Sequence, residues 1–116
     1  MNGDVREAYP YHRRFIRQRV RVRVDVDAQE SHSSWTINVS PDGLCFELPR
    51  RIAVGQELGV SVFLSRDKRA RPVQGVVRVV WSDPTGSGHR HGARFVRFDD
   101  RDGERLAHWL GRPVGA

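Results

Sequence analysis

The stretch QRVRVRVDV, residues 18–26, alternates valine with charged side chains from Arg19 to its end. A period of two is typical of a β-strand with one buried face and one solvated face. The same period recurs in five later segments. Their apolar positions are Trp35, Ile37 and Val39, then Leu44, Phe46 and Leu48, then Leu58, Val60, Val62 and Leu64, then Val73, Gly75, Val77, Val79 and Trp81, and last those of GARFVRF at 92–98. The sequence therefore predicts six strands.

Turn and loop residues separate these strands. SPDG at 40–43 is a turn signal, and PRRIAVGQ at 49–56 and DPTGSG at 83–88 predict loops. Six strands connected in this way favour an all-β protein, a six-stranded antiparallel barrel, because closing the sheet removes its edges.

The C-terminal end has the spacing of a helix. Leu106, Trp109 and Leu110 stand at i, i+3 and i+4, and Gly111 followed by Pro113 is a stop signal. Asp99 or Asp100 is positioned to cap the first turn. We predict a C-terminal α-helix at residues 100–110 that follows the barrel.

Length and composition favour one soluble cytoplasmic domain. The chain has 116 residues, one cysteine and no apolar run near the ~18 residues of a membrane helix. A single thiol forms no internal disulfide, and the N-terminus lacks the apolar segment of a secretory signal. Residues 1–12 show no periodicity, which predicts a flexible N-terminal tail.

Charge is concentrated at the N-terminus. The chain has 20 basic and 14 acidic residues, a net charge of +6. Within residues 1–23, seven arginines against two carboxylates give +5. Clustered basic charge indicates an anionic partner.

No set of residues predicts an enzyme. A nucleophile, a base and an orienting group do not occur together in any recognisable pattern. His89 and His91 have a spacing that could ligate a metal, but with no carboxylate or cysteine nearby a solvated loop is the better interpretation. Cys45 is interpreted as a packed structural thiol. We expect no cofactor and no metal site.

Two short motifs could bind an anionic ligand. RRFIR at 13–17 places Arg13 and Arg17 four residues apart with Arg14 beside them, and arginine binds phosphate and guanine through a planar fork. NVSPDG at 38–43 could present an amide, a hydroxyl and an open backbone from Asn38, Ser40 and Gly43 to the edge of a base. By contrast, Arg19, Arg21 and Arg23 are interpreted as the solvent face of a strand.

In this order the motifs resemble those of the PilZ domain family, receptors for the bacterial second messenger cyclic di-GMP. RxxxR stands at Arg13–Arg17 and (D/N)xSxxG at Asn38–Gly43, with 20 residues between them. The resemblance continues through PRRIAVGQELGVSVFL, VVRVVW and HGARFVRF to the closing helix. It implies a PilZ-like barrel domain at residues 13–111 with six strands and a C-terminal helix.

The resemblance also implies a binding site and a role. Arg13 and Arg17 would clamp phosphates and guanine faces, with Arg14 assisting, while Asn38, Ser40 and Gly43 would hold a guanine edge. Trp81 stands where some members contact the ligand, and packing is an equally good interpretation. Many members have aspartate in place of Asn38, but asparagine is also within the family pattern, so binding is expected to survive. Ligand binding would change the conformation of the tail, or association into a homodimer, and present a surface to an effector protein.

Two alternatives remain open at this point. One is a small basic barrel that binds single-stranded nucleic acid, for which aromatic residues should alternate with basic ones on an exposed face. We expect the Arg19–Arg23 face to hold no aromatic residue, which argues against nucleic acid. The second is a PilZ-type fold that has lost ligand binding and acts as a protein-interaction module.

Overall fold

The alternating valines do pack inward in the structure, a computed structural model that describes residues 21–67 and 69–111. Val24 and Val26 have no solvent exposure, and Arg23 and Asp27 face solvent. The predicted first strand began at Gln18. The observed strand β1 spans Arg23–Asp27, and residues 18–20 lie outside the described part of the chain.

Five further strands and one helix follow β1 in the described chain. They are β2 (Ser31–Ser40), β3 (Gly43–Leu48), β4 (Glu57–Phe63), β5 (Val73–Pro84), β6 (His89–Phe98) and α1 (Asp102–Leu110). All neighbouring strands are antiparallel, and the sheet closes in the order β1-β2-β3-β6-β5-β4. This confirms the predicted six-stranded barrel with a C-terminal helix.

The core fills the barrel interior with one face of every strand. Phe46 and Leu44 from β3 are fully buried, as is Leu106 from α1. Leu106 and Leu110 belong to the same apolar cluster as the strand residues, so α1 extends the barrel core. The predicted apolar face of the helix is confirmed, as is its end at Gly111, whose N–H donates to the Ala107 carbonyl at 2.9 Å.

The start of the helix differs from the prediction. The N-cap is Arg101, which makes no side-chain capping bond, so capping by Asp99 or Asp100 is wrong. Asp100 instead has φ 46°, the left-handed conformation of a turn, just before the helix. The first turn is held by Asp102, whose buried carboxylate binds Arg71 and Arg105.

Two register shifts move aromatic side chains to the outer surface. One lies between Thr36 and Asn38 and the other between Val79 and Trp81. An extra residue in one strand turns the side chains that follow it to the opposite face of the sheet. The prediction that Trp35 shares the inner face with Val39 is therefore wrong, since Trp35 is 51% exposed while Thr36 is buried. Trp81 likewise leaves the inner face of Val77 and Val79.

A second expectation about aromatic residues is also wrong. The outer face of β1 was expected to hold none, but Arg23 is paired with Trp35 on one side and with Phe63 on the other. Residues paired across neighbouring strands project from the same face of the sheet. Trp35 and Phe63 therefore flank an exposed arginine. Phe46 is buried in the core as expected.

His89 and His91 lie on a strand, so their predicted placement in a solvated loop is wrong. β6 begins at His89, and the loop that precedes it is shorter than expected. His91 has no solvent exposure and stacks on Phe46 with 5.5 Å between ring centroids. Its Nε2 accepts a hydrogen bond of 2.9 Å from the Ile52 N–H. Its imidazole therefore anchors the loop between β3 and β4.

The buried imidazole predicts acid sensitivity near neutral pH. Burial lowers the pKa of His91 below its ordinary value of 6.5, and the positive charges of His89 and Arg51 lower it further. The unfolded chain therefore binds the proton more tightly, and stability is lost as pH falls through 6.5 toward the folded pKa. We expect His91 to remove up to about 1.4 kcal/mol of unfolding free energy between pH 7.5 and 5.5.

Urea unfolding at the two pH values measures this loss. The matched variant is His91→Gln, whose amide oxygen can still accept from Ile52 but does not titrate. It should lose less stability than the parent over the same pH interval. Equal losses in the two proteins would show that other groups cause the acid sensitivity.

Candidate ligand-binding site

Four paired residues form a row on the outward-facing side of the barrel, where Cys45 and Gly92 are buried and Asn38 and Trp81 are half-buried. Asn38 on β2 pairs with Cys45 on β3, Cys45 with Gly92 on β6, and Gly92 with Trp81 on β5. Ala93 next to Gly92 is buried in the core, so Gly92 faces outward. The row spans three strand spacings, about 14 Å. It brings two predicted site residues, Asn38 and Trp81, onto one surface.

The indole of Trp81 occupies the space above Gly92. A Cβ at position 92 would overlap the indole ring at Nε1 and Cε2. Glycine therefore allows the ring to lie against the sheet. Trp81 is half-buried and presents an aromatic surface at one end of the row. A flat ring fixed in this way can stack on a planar base.

Asn38 provides a polar group at the other end of the row. Its side chain is half-buried, and its Oδ1 is buried without a hydrogen-bond partner among the described residues. A buried amide oxygen without a partner is costly, because it has lost its hydration. A side-chain rotation that brings this oxygen to the surface would allow it to accept a hydrogen bond from a ligand.

Ser40 stabilises the turn after β2. Its side chain is fully buried, its hydroxyl donates to the Asp42 carboxylate, and the Asp42 N–H donates back to Ser40 Oγ at 3.3 Å. The Asp42 carbonyl accepts from the Phe95 N–H at 2.9 Å, which fastens the turn to β6. The Ser40 hydroxyl therefore makes its hydrogen bonds within the turn. That it also faces the edge of a base stays a prediction from the sequence.

A residue that the sequence did not single out lies beside this turn. Arg94 on β6 pairs with Gly43 on one side and with Arg78 on the other. Arg94 is exposed, and Arg78 donates to Glu57 at 2.6 Å. Glycine adds no side chain to the surface next to Arg94, although Gly43 itself is buried. The sequence alone does not distinguish Arg94 from other outward-facing strand residues, because Gly43, with which it pairs, is 51 positions away.

The arginine motif lies outside the described residues. This applies to Arg13, Arg14 and Arg17 and to the tail at 1–12. The described chain begins at Arg21, and the Val22 carbonyl accepts from the Thr36 N–H at 2.9 Å. Thr36 stands two residues before Asn38 on the same strand. The chain that follows the motif therefore first contacts the barrel at Thr36, close to Asn38.

The comparison with protein families matches residues 11–112 to the PilZ domain. The chain belongs to the PilZ family. This family consists of cyclic di-GMP receptors and adaptors. The match covers both motifs and all six strands.

A solved structure with the same PilZ fold is that of the Bacillus subtilis inhibitor of motility, MotI/DgrA. The TM-score is 0.74 at 14% sequence identity, over 85% of this chain and 49% of that one. This chain thus spans about half the length of that protein, and the likeness shows the shared fold. A search of curated proteins found no matching relative.

Within residues 21–67 and 69–111, no helix is long and apolar enough to cross a membrane. In the same described ranges, no group of three or more His, Cys, Asp or Glu side chains is placed to hold a metal ion.

The close fit of Trp81 on Gly92 in this PilZ domain predicts a sensitive position. Gly92→Ala should displace the indole and destabilise the domain by about 1–3 kcal/mol, because a methyl group has no room beneath the ring. Urea unfolding and tryptophan fluorescence measure the two effects. Gly86→Ala is the matched control, since a Cβ there meets nothing within 4 Å. If both variants behave alike, the ring does not rest on Gly92.

Proposed function

We propose that this PilZ domain is a receptor for cyclic di-GMP. The ligand would bind on the outer face between Asn38 and Trp81, with Arg13 and Arg17 supplied by the adjoining N-terminal segment. The observation that carries the proposal is the common row of Asn38 and Trp81 beside the entry of that segment. An amide, an indole and several guanidinium groups match a ligand with two guanines and two phosphates.

Each group has a distinct role in this proposal. Trp81 stacks on a guanine, and Asn38 Oδ1 accepts from its N1–H or N2–H. Arg13 and Arg17 bind phosphate oxygens and guanine acceptors through bidentate hydrogen bonds, and Arg14 assists them. Because an amide has one acceptor oxygen and a carboxylate has two, Asn38 holds the guanine edge less tightly than aspartate would.

The turn after β2 shapes one side of the proposed site, and Arg94 beside it adds positive charge. Ser40 and Asp42 fix the turn through their mutual hydrogen bonds, and Gly43 adds no side chain to it. Arg94 adds a guanidinium beside Gly43, within one strand spacing of about 5 Å. We include Arg94 as a further phosphate contact.

The output of binding would be a change in the N-terminal segment. Arg13 and Arg17 must converge on the ligand, so binding orders residues that connect directly to Arg21 and β1. The reorganised segment would then present a new surface to an effector protein. This is the role of an adaptor, with the second messenger as its signal.

Calorimetric titration of the full chain with cyclic di-GMP, GMP and GTP tests the ligand. We expect micromolar or tighter binding of cyclic di-GMP, and at least tenfold weaker binding of the mononucleotides, since each lacks one guanine. Mononucleotides that bind as tightly as cyclic di-GMP would contradict the proposal. So would the absence of binding to all three, which favours a PilZ-type interaction module.

A further inference from the structure

A second exposed surface crosses β2, β1 and β4. Trp35, Arg23 and Phe63 are paired in that order across the three strands, and Arg21 lies next to them. We call these four residues the arginine–aromatic strip. Among the described residues, Trp35 and Val54 are the only exposed large hydrophobic side chains. Together with the partly exposed Phe63, Trp35 leaves aromatic surface on the outside of the barrel.

The arginines of the strip lie over the aromatic rings. The guanidinium carbon of Arg21 is 5.4 Å from the centroid of Trp35, and that of Arg23 is 4.7 Å from the centroid of Phe63. Both distances are in the range of cation–π contacts. Arg23 is held further by Asp25, with 3.2 Å between the charged atoms. These contacts orient planar cations and rings along one surface.

We propose that the arginine–aromatic strip binds single-stranded nucleic acid. Aromatic rings that alternate with guanidinium groups on the outer face of a sheet allow bases to stack on the rings while the phosphates contact the positive charges. Trp35 and Phe63 are two strand spacings apart, about 10 Å, so the strip presents two stacking positions on one surface. Both rings are partly exposed, and a base would stack on each by displacing the guanidinium group that lies over it or by using the opposite ring face.

The strip is separate from the proposed cyclic di-GMP site. The strip lies on β2, β1 and β4, whereas the row from Asn38 to Trp81 lies on β2, β3, β6 and β5. Trp35 stands three residues before Asn38 and on the other side of the register shift. The two proposals are tested with different ligands, cyclic di-GMP and oligonucleotides, so the failure of one is distinguishable from the failure of the other.

Fluorescence anisotropy with labelled eight-nucleotide oligo(U) and oligo(dT) tests the strip in the full chain. Trp35→Ala should weaken binding roughly 5- to 150-fold, the range for loss of one base–aromatic stack. Trp35→Phe should retain most of the affinity, because phenylalanine also stacks. Arg21→Ala should weaken binding and reduce the slope of log affinity against log salt by about one.

Arg90→Ala is the matched charge control, since exposed Arg90 lies on β6, three strands from β1 around the barrel. It should leave the salt slope unchanged, and thermal unfolding of each variant reports on folding. Binding that is equal in Trp35→Ala and the parent would overturn the proposal in favour of diffuse charge. Failure of both oligonucleotides to bind would also overturn it, as would equal binding of poly-glutamate, which would indicate an acidic protein partner.

Discussion

Replacing Asp102 by asparagine should lower the free energy of unfolding by about 3 kcal/mol, the largest stability effect of any single substitution considered for this domain. The carboxylate has no solvent exposure. It accepts from Arg105 at 2.8 Å, from Arg71 at 2.9 Å and from the Gln74 N–H at 2.8 Å. Asparagine removes the charge that both guanidinium groups need and adds an amide donor that faces them.

The size of this effect follows from the surroundings of Asp102. Burial alone would raise the pKa of Asp102, but hydrogen bonds from Gln74, Arg105 and Arg71 outweigh it and hold the pKa below the ordinary 3.8. The contact therefore stabilises the fold above pH 3.8 and is lost as pH falls through the lower folded pKa. Because Arg71 and Arg105 are partly exposed, we expect the lower end of the range for a broken buried ion pair.

Urea denaturation at pH 7 measures the loss. Glu104→Gln is the matched control, because Glu104 lies in the same helical turn, is exposed, and has only a 4.0 Å contact with Arg101. It should change stability by less than about 0.5 kcal/mol. Similar losses in the two variants would show that the Asp102 contacts do not anchor the helix.

The strands were predictable from the sequence because each shows the period of two locally. The alternating valines in β1 and β5 reach the core as expected, and Gly111 ends the helix. The register shifts were not predictable, because an extra residue near Ile37 or Val80 becomes visible only through the strand that pairs with it. Trp35 and Trp81 consequently changed faces.

Contacts between distant segments account for the remaining differences. The Asp102 cluster joins the helix to residues 71–74, and His91 binds the loop at Ile52. Neither link has a local pattern in the sequence. The same holds for the candidate site, where NVSPDG identified Asn38 and Gly43 but Arg94 becomes visible only by its pairing with Gly43.

The second large effect concerns ligand binding. Arg17→Ala should weaken cyclic di-GMP binding by about 1.5–3 kcal/mol, roughly ten- to hundredfold, because a charge-assisted hydrogen bond to the ligand is lost. Arg13→Ala should behave similarly, since it supplies the other side of the same clamp. Both variants should fold normally, because the described apolar core contains neither residue.

The most direct test of the proposed function compares the cyclic di-GMP affinities of Arg17→Ala and Arg21→Ala by calorimetry at matched physiological salt. Arg21 carries the same charge, is exposed, and lies over Trp35 outside the proposed site. Its replacement should act through long-range charge alone and cost under about 0.5 kcal/mol, around twofold. We predict a ten- to hundredfold loss for Arg17→Ala against this small change. Equal losses in the two variants would contradict the account, because the chain would then bind the ligand by diffuse positive charge.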